Sequence, residues 1–241
     1  MNKCYIFDVD GTLTLPRQKM VDDFLLFFLN WMSNKPIFLV SGSNIEKIKE
    51  QIPYSIYNRC EGVFASMANE LWQKEHLIYQ QEFNMDPFLK EMLISFQMYT
   101  KFPIKPKVGG RGAIIEERPG MINFTTIGRN TSIEERNRYY EWDQKNEERA
   151  RIAKEVEDKF PMLEACLGGQ ISIDIQPKGN NKSQASKWIR KNLGDRMVFF
   201  GDKCFKGGND FDIALDIMKN KDGEYHQVDS YKETREILSN L

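Results

Sequence analysis

Two short apolar runs near opposite ends of this 241-residue chain each stop at an acidic turn, and that pairing constrains the fold more than any other feature. Near the start, Tyr5-Ile6-Phe7 leads into Asp8-Val9-Asp10-Gly11-Thr12; near the end, Met197-Val198-Phe199-Phe200 leads into Gly201-Asp202. Apolar runs of this length bounded by turn residues read as buried strands, and fully buried strands belong to parallel sheets covered by helices. Strand periodicity puts Asp8 and Asp10 on the same side of the chain, and Gly11 allows a sharp turn after them. Two such carboxylates can share a hard divalent cation or divide nucleophile and acid/base duties, although an Asp-x-Asp-Gly sequence can also be a simple turn.

The stretch between the two runs changes character twice. Up to about residue 81, strands and helices alternate. Met20 to Met32 reads as a helix, Ile37 to Val40 as a strand, Ile45 to Gln51 as a short helix, and Gly62 to Ser66 as a third strand, with Leu71 to Tyr79 as a hairpin extending the sheet. The turn Ser41-Gly42-Ser43-Asn44 offers its amides to an anion, or simply caps the helix that follows.

From Glu82 the pattern becomes α+β. Asp86 to Lys101 has apolar residues at helical spacing, with Asp86 as cap and Pro87 at the first helical position. A hairpin is expected from Ala113-Ile114-Ile115 and Met121 to Phe124, around a turn at Arg118-Pro119-Gly120. One long charged helix is expected from Ser132 to about Asp158, opened by a Ser132/Glu135 capping box, its charges forming a solvated face. Ile171, Ile173 and Ile175 alternate with polar residues as in a strand with one buried face. From Lys182 the α/β pattern returns, with helices over Ser183 to Lys191, Ile213 to Met218 and Tyr231 to Leu241. The loop Gly207-Gly208-Asn209-Asp210 lies between the first two of these. The expected division is thus a doubly wound α/β core, residues 1–81 and 182–241, with an α+β insert, residues 82–181.

Composition narrows the classes of function. A net charge of −1 lacks the basic excess of a nucleic-acid binder. The four cysteines, Cys4, Cys60, Cys166 and Cys204, form no Cys-x-x-Cys pair and suit a reducing cytosol. The chain enters its first strand too soon for a signal peptide, and the apolar run Phe24 to Leu29 is too short to span a bilayer, so no membrane association is expected. Lone His76 and His226 lack catalytic partners, and Cys204 reads as a packed thiol.

In an open α/β sheet, ligands sit outside the carboxyl ends of the strands, where Asp8, Asp10, Ser41, Ser43 and Asp202 converge. An all-oxygen set of this kind suits magnesium. Lys182 can neutralise the carboxylates or a phosphoryl group, although spacing alone favours a surface lysine. Arg118, Arg129 and Arg136 come from the hairpin turn, the end of its second strand and the start of the next helix and can converge on one edge, where guanidinium forks suit a phosphate. Ser172 and Asp174 share the polar face of their strand, where sugar hydroxyls can bind.

The ordered blocks Asp8-Val9-Asp10-Gly11-Thr12, Ser41-Gly42-Ser43, Lys182 and Gly201-Asp202 with Asp210 resemble the four motifs of the haloacid-dehalogenase-like phosphotransferases. Phe7 to Thr14 with Pro16-Arg17, the segment Arg111 to Arg136, Gly168 to Ser172, and Phe199 to Lys203 with Gly207 to Asp210 resemble, more narrowly, the eukaryotic-type phosphomannomutases. The resemblance implies Asp8 as the nucleophile, Asp10 as the acid/base and Lys182 as a third catalytic residue. It implies magnesium on Asp8, the Asp10 carbonyl and Asp202, with Asp210 beside them. Arg17, Ser43, Arg111, Arg118, Asn123, Arg129, Arg136, Ser172 and Asp174 fall at its substrate-binding positions.

By the same resemblance the insert is a cap that closes to exclude water, and mannose 6-phosphate and mannose 1-phosphate interconvert through an aspartyl phosphate and a hexose 1,6-bisphosphate, which also serves as activator. A cytosolic homodimer joined through the cap and a place in GDP-mannose biosynthesis are further implications. A sugar-phosphate phosphatase, or a silent sugar-phosphate-binding protein, is the alternative. Two departures from the family pattern stand out: Ser41-Gly42-Ser43 replaces Gly-Gly-Ser, with Ser43 the favoured contact, and Ala214-Leu215-Asp216-Ile217 replaces the Thr-Asp-Pro of a further cation site.

Overall fold

A computed structural model describes residues 3–104 and 109–241. The chain begins with β1 (Lys3–Asp8), α1 (Asp22–Trp31), β2 (Ile37–Val40), α2 (Ile45–Gln51), α3 (Tyr54–Tyr57), β3 (Gly62–Ala65), β4 (Glu70–Gln73) and β5 (His76–Gln80). It continues with α4 (Pro87–Met98), β6 (Ile115–Arg118), β7 (Met121–Phe124), α5 (Ile133–Asn146), α6 (Glu148–Lys159), β8 (Leu163–Gly168) and β9 (Ser172–Pro177). It closes with α7 (Ser183–Asn192), β10 (Arg196–Gly201), α8 (Phe211–Asn220), β11 (Gly223–Gln227) and α9 (Tyr231–Ser239). Two compact units result: Met1–Gln81 with Gly179–Leu241, and Glu82–Lys178.

The first unit is a seven-stranded sheet in the order β11-β10-β1-β2-β3-β4-β5, parallel from β11 to β3 and antiparallel in the β4–β5 hairpin. Both faces of its central strands are buried, so alternation along β1 sorts side chains into two cores. Tyr5 and Phe7 join Val198, Phe200, Leu39, Phe24 and Phe28 on one side, while Cys4 and Ile6 join Phe199, Val40, Ile189 and Ile213 on the other. Phe7 stacks on Phe200 across the strand pair, ring centroids 4.9 Å apart, just before both strands end. Each such fully buried side chain contributes about 1.5–3 kcal/mol, which fixes the strand ends that carry the acids.

The second unit is an antiparallel sheet in the order β6-β7-β9-β8. One face, with Ile122, Phe124, Ile173 and Ile175, packs on Leu89 and Leu93 of α4 and on Ile152 and Val156 of α6. The register aligns Glu116, Asn123, Asp174 and Cys166 in a row across all four strands. Because side chains alternate, this row lies on the face opposite the core.

Several expectations need correction. The first hairpin strand is Ile115–Arg118, not Ala113 to Ile115, because Glu116 and Arg118 pair with Asn123 and Met121 and leave only Pro119-Gly120 as the turn. Residues 132–158 do not form one helix. Ser132 and Glu135 do form the capping box. Glu147, however, adopts a left-handed φ of 52° between α5 and α6.

That break turns Glu148 and Arg149 inward. Glu148 accepts hydrogen bonds from Tyr139 (2.9 Å), Thr126 (3.2 Å) and Thr100 (2.6 Å), and Arg149 pairs with buried Asp143 at 2.7 Å. These charges are therefore not a solvated face. The strands β8 and β11 carried no expectation from sequence.

Candidate active site

Three parallel strands, β1, β2 and β10, run side by side with their carboxyl ends together; Asp8 closes β1, and Ser41 and Asp202 each lie one residue past their strands. Carboxylate oxygens of Asp8, Asp202 and Asp210 lie within 4.8 Å of one another. Lys182, expected on spacing alone to be a surface residue, is instead 0% exposed. Its Nζ donates to Asp8 Oδ1 at 2.5 Å and to Asp210 Oδ1 at 2.6 Å. The lysine immediately precedes α7, whose Ala185 and Ile189 pack with Ile213 and Ile217 of α8 in one core against the sheet, so the ammonium is carried into the cluster by its own helix.

Three carboxylates gather around one buried ammonium, and burial with their mutual repulsion shapes the titrations. Burial pushes the Asp8 carboxyl up to about 8, with Lys182 opposing and Asp210 and Asp202 adding to the shift. Burial also raises Asp202, against the pull of Lys203. For Lys182, burial acts to lower the ammonium, but Asp210 and Asp8 together outweigh it and hold it above its usual range. Asp8 and Lys182 thus both move upward: the ammonium stays charged while one surplus carboxylate favours a proton. Packing around the cluster is close, since a Cβ at Gly11, whose φ is +85°, would lie 2.5 Å from Asp202 Oδ2.

Asp10 stands outside this cluster. Its Oδ1 accepts from the Arg17 amide at 2.6 Å and from Gln51 Nε2 at 2.9 Å. Beside β2, the Ser41 hydroxyl is buried and accepts from the Ser43 amide at 3.0 Å, whereas Ser43 itself is half-buried. Asn44 caps α2 by accepting from the Lys47 amide at 3.2 Å, so one of that helix's free amides is already satisfied. The turn after β3 supports this loop: the Ser66 and Met67 amides donate to the Ser43 and Ser41 carbonyls at 2.8 and 3.0 Å.

In the second unit, Arg118 and Arg129 each place a guanidinium nitrogen 3.0 Å from Glu116 Oε2. Asn123 Nδ2 donates to Asp174 Oδ1, and Ser172 is buried on the same strand face as Asp174. Burial raises the Asp174 carboxyl, opposed by Arg118, the Asn123 hydrogen bond and Arg129. Arg136 donates to the Arg129 carbonyl at 3.1 Å, joining it to the group. Arg111 instead pairs with Glu135 at 2.8 Å and donates to the Ile127 carbonyl at 3.2 Å.

The family model for eukaryotic phosphomannomutase matches residues 24–241 of this chain. The chain belongs to the eukaryotic phosphomannomutase family. Phosphomannomutase 1 of Dictyostelium discoideum is 33% identical over 250 residues, covering 100% of this chain and 96% of that protein. The phosphomannomutase of Dendrobium officinale is 36% identical, covering 86% of this chain and 83% of its own. Among solved structures, a haloacid dehalogenase-like hydrolase from Bacteroides thetaiotaomicron superposes with a TM-score of 0.65 at 12% identity, covering 100% of this chain and 99% of that one. At that identity the likeness shows the fold, a haloacid-dehalogenase-like core.

Set against the phosphomannomutase expectation, the structure gathers Asp8, Lys182, Asp202 and Asp210 at one point, with the Asp10 carboxylate turned away from it. It gathers Arg118, Arg129, Arg136, Asn123, Ser172 and Asp174 in the second unit. Arg17 enters through its main-chain amide at a left-handed φ of 61°. Asp216 accepts from Ser186 at 2.6 Å and pairs with Arg190 at 2.7 Å, so a guanidinium neutralises it. Cys204 is buried and its thiol pushed up to about 12 by burial, as suits a packed thiol.

Two site residues had no expectation attached. Gln51 falls at the next position of the buried series Ile45, Ile48, and a polar residue continuing an apolar stripe is a readable signal. Glu116 stands two residues from Arg118, the spacing that puts both on one strand face.

Proposed function

We propose that this chain interconverts mannose 6-phosphate and mannose 1-phosphate through an aspartyl phosphate on Asp8 and a hexose 1,6-bisphosphate, which also serves as activator. The observation that carries this reading is the separation of two carboxylates only two residues apart. Asp8 is buried against Lys182 and suits attack on phosphorus, while Asp10 is held outside the cluster and suits proton exchange with a sugar oxygen. Lys182 holds Asp8 in place and offsets negative charge. Glu116 keeps Arg118 and Arg129 side by side, and with Arg136 they supply the second anion site that a bisphosphate requires. Ser172, Asp174 and Asn123 would bind sugar hydroxyls, Ser43 the phosphoryl group, and Arg17 and Arg111 the remaining sugar-phosphate contacts.

The donor set fits magnesium, being all oxygen, with Asp8 raised first by burial and further by the neighbouring carboxylates of Asp210 and Asp202. Asp8, Asp202 and the Asp10 carbonyl would hold it. Asp210 would support them, since its two oxygens already accept from Lys182 at 2.6 Å and from the Lys203 amide at 3.0 Å. Bound there, the ion offsets the repulsion among the carboxylates and the phosphoryl group.

The four cysteines are free and suit the cytosol, with a role in GDP-mannose supply. Among the described residues no helix is long and apolar enough to cross a membrane. A homodimer through the insert is also part of this reading, since the insert exposes Met98, Tyr99 and Ile133.

Phosphorus NMR of the protein with mannose 1-phosphate, magnesium and a trace of bisphosphate tests the reading. Mannose 6-phosphate is the expected product. Inorganic phosphate as the main product replaces the mutase with a phosphatase, and binding without turnover replaces it with a silent binding protein.

A further inference from the structure

Gln51 ends α2 and is 3% exposed, yet none of the expected chemistry uses it. Its main-chain carbonyl accepts from the Met20 amide at 2.9 Å, which ties it to the far end of the loop that begins at Val9. Its side-chain Nε2 lies 2.9 Å from Asp10 Oδ1, and more distantly from Thr14 Oγ1 (3.3 Å) and the Gln18 carbonyl (3.4 Å). The amide orientation follows from chemistry, because its oxygen turned toward Asp10 would oppose two acceptors. The remaining atom, Oε1, is buried without a partner among the described residues. A buried amide that leaves one end unsatisfied to aim the other at a carboxylate is costly, and the cost needs a purpose.

Asp10 Oδ1 therefore receives two N–H donors, Gln51 Nε2 and the Arg17 amide, the latter at 2.6 Å from a residue in left-handed backbone. Two lone pairs facing two donors leave no room for a proton on that oxygen. Among the described residues, Oδ2 has no donor. We propose that Gln51 is the positioning residue of Asp10, saturating Oδ1 with the Arg17 amide so that the proton exchanged with the sugar is carried on Oδ2.

The inference rests on Asp10 being the acid/base. In the outgoing step, an Asp8 oxygen bonds to phosphorus and the phosphorus–sugar oxygen bond breaks. The electron pair leaves on the sugar oxygen, which takes the proton from Oδ2. In the return step, a sugar hydroxyl gives its proton to Oδ2 as its oxygen bonds to phosphorus, and the Asp8–phosphorus bond breaks with its pair returning to Asp8. Both steps need the same oxygen aimed at the sugar, which is what a fixed Oδ1 provides.

The test is single-turnover phosphorylation of Asp8 by two donors in the intact protein with magnesium. A hexose 1,6-bisphosphate has a sugar leaving group that needs a proton, whereas the nitrophenolate of a nitrophenyl phosphate leaves without one. Gln51→Met should slow transfer from the bisphosphate about 100-fold, as expected when a catalytic group is misplaced by about an ångström. Transfer from the aryl phosphate should change by less than about threefold. Gln51→Glu keeps the shape but replaces the donor by an oxygen, and should show the same selectivity if the methionine variant does not fold.

Thr14→Val removes the other side-chain acceptor of Nε2 in the same loop and should spare both donors. Equal losses with both donors, equal effects of Thr14→Val and Gln51→Met, or no effect at all would overturn the proposal. A parent protein that releases phosphate instead of isomerising removes the mutase reading, but the comparison of leaving groups still decides the role of Gln51. A parent inert toward both donors removes both.

Discussion

Lys182 and Asp8 show how little a residue's neighbours in sequence say about its burial. The lysine sits in Asn180-Asn181-Lys182-Ser183, a polar stretch with no apolar signal, yet it is fully enclosed between two carboxylates. Removing one partner of such a group leaves uncompensated buried charge, so Lys182→Met should destabilise the protein by about 3–5 kcal/mol, read from urea unfolding in chelator. Magnesium should narrow that gap, because it supplies a cation to the same carboxylates.

Asp8 carries a pH dependence of definite sign. Its carboxyl lies at about 8 in the fold against an ordinary 3.8, so the fold favours its protonated form. The stabilisation this gives is fully present below the ordinary value and is lost as pH rises through the folded one. Lys182 is also raised, but its contribution is complete below its ordinary 10.5 and changes only above that, outside this window. In chelator, the urea midpoint should therefore fall between about pH 5 and 8, and Asp8→Asn should reduce that slope, leaving the share of Asp202 and Asp174, which burial also raises. The same variant should transfer no phosphoryl group. An unchanged slope in Asp8→Asn would falsify the assignment of the shift to this residue.

At the level of elements, the strands and helices with a clear period were legible. The residues that the sequence brings to the strand ends, Asp8, Ser41 and Asp202, were legible with them, because their positions follow from backbone alternation alone. What escaped has physical causes. The strand β8 carries mixed residues with half-exposed sides, and β11 is a short edge strand, so neither shows a clean period of two. The break at Glu147 escaped because no glycine or proline marks it. Buried hydrogen bonds to Glu148 and Arg149 outweigh the helical preference of the stretch between Asn146 and Glu148.

Glu147 itself is exposed and left-handed, a conformation that costs a residue with a Cβ about 1–2 kcal/mol. Glu147→Gly should stabilise the protein by about 0.5–1 kcal/mol, after the added flexibility of the unfolded chain is deducted. Glu147→Ala, though the better helix former, should give no comparable gain. Urea midpoints of the two variants test this, and a larger gain for alanine would contradict the proposed cause of the break.

For the molecule as a whole, the proposed reading gives the two units separate chemical tasks. The first unit is discontinuous, since β1 pairs with β10 from the far end, and it contains Asp8, Lys182, Asp202 and Asp210, to which the proposed reading assigns the phosphorylation of Asp8. The second is continuous, Glu82–Lys178, and holds the clustered arginines on a sheet face opposite its own core. If that division is functional, damage to the second unit must fall on the sugar phosphate and spare the nucleophile. A charge-assisted hydrogen bond contributes about 1.5–3 kcal/mol, so Arg129→Ala and Arg136→Ala should each raise the KM for mannose 1-phosphate about 10- to 100-fold. Phosphorylation of Asp8 by acetyl phosphate, a donor with no sugar and no second phosphate, should proceed at the parent rate. With the distal grip weakened, the bisphosphate should also escape before it turns over, so activity should depend on a higher concentration of added bisphosphate. Steady-state kinetics at several bisphosphate levels measure this, and a fall in acetyl phosphate transfer equal to the loss with mannose 1-phosphate would show that the two units do not divide the work in this way.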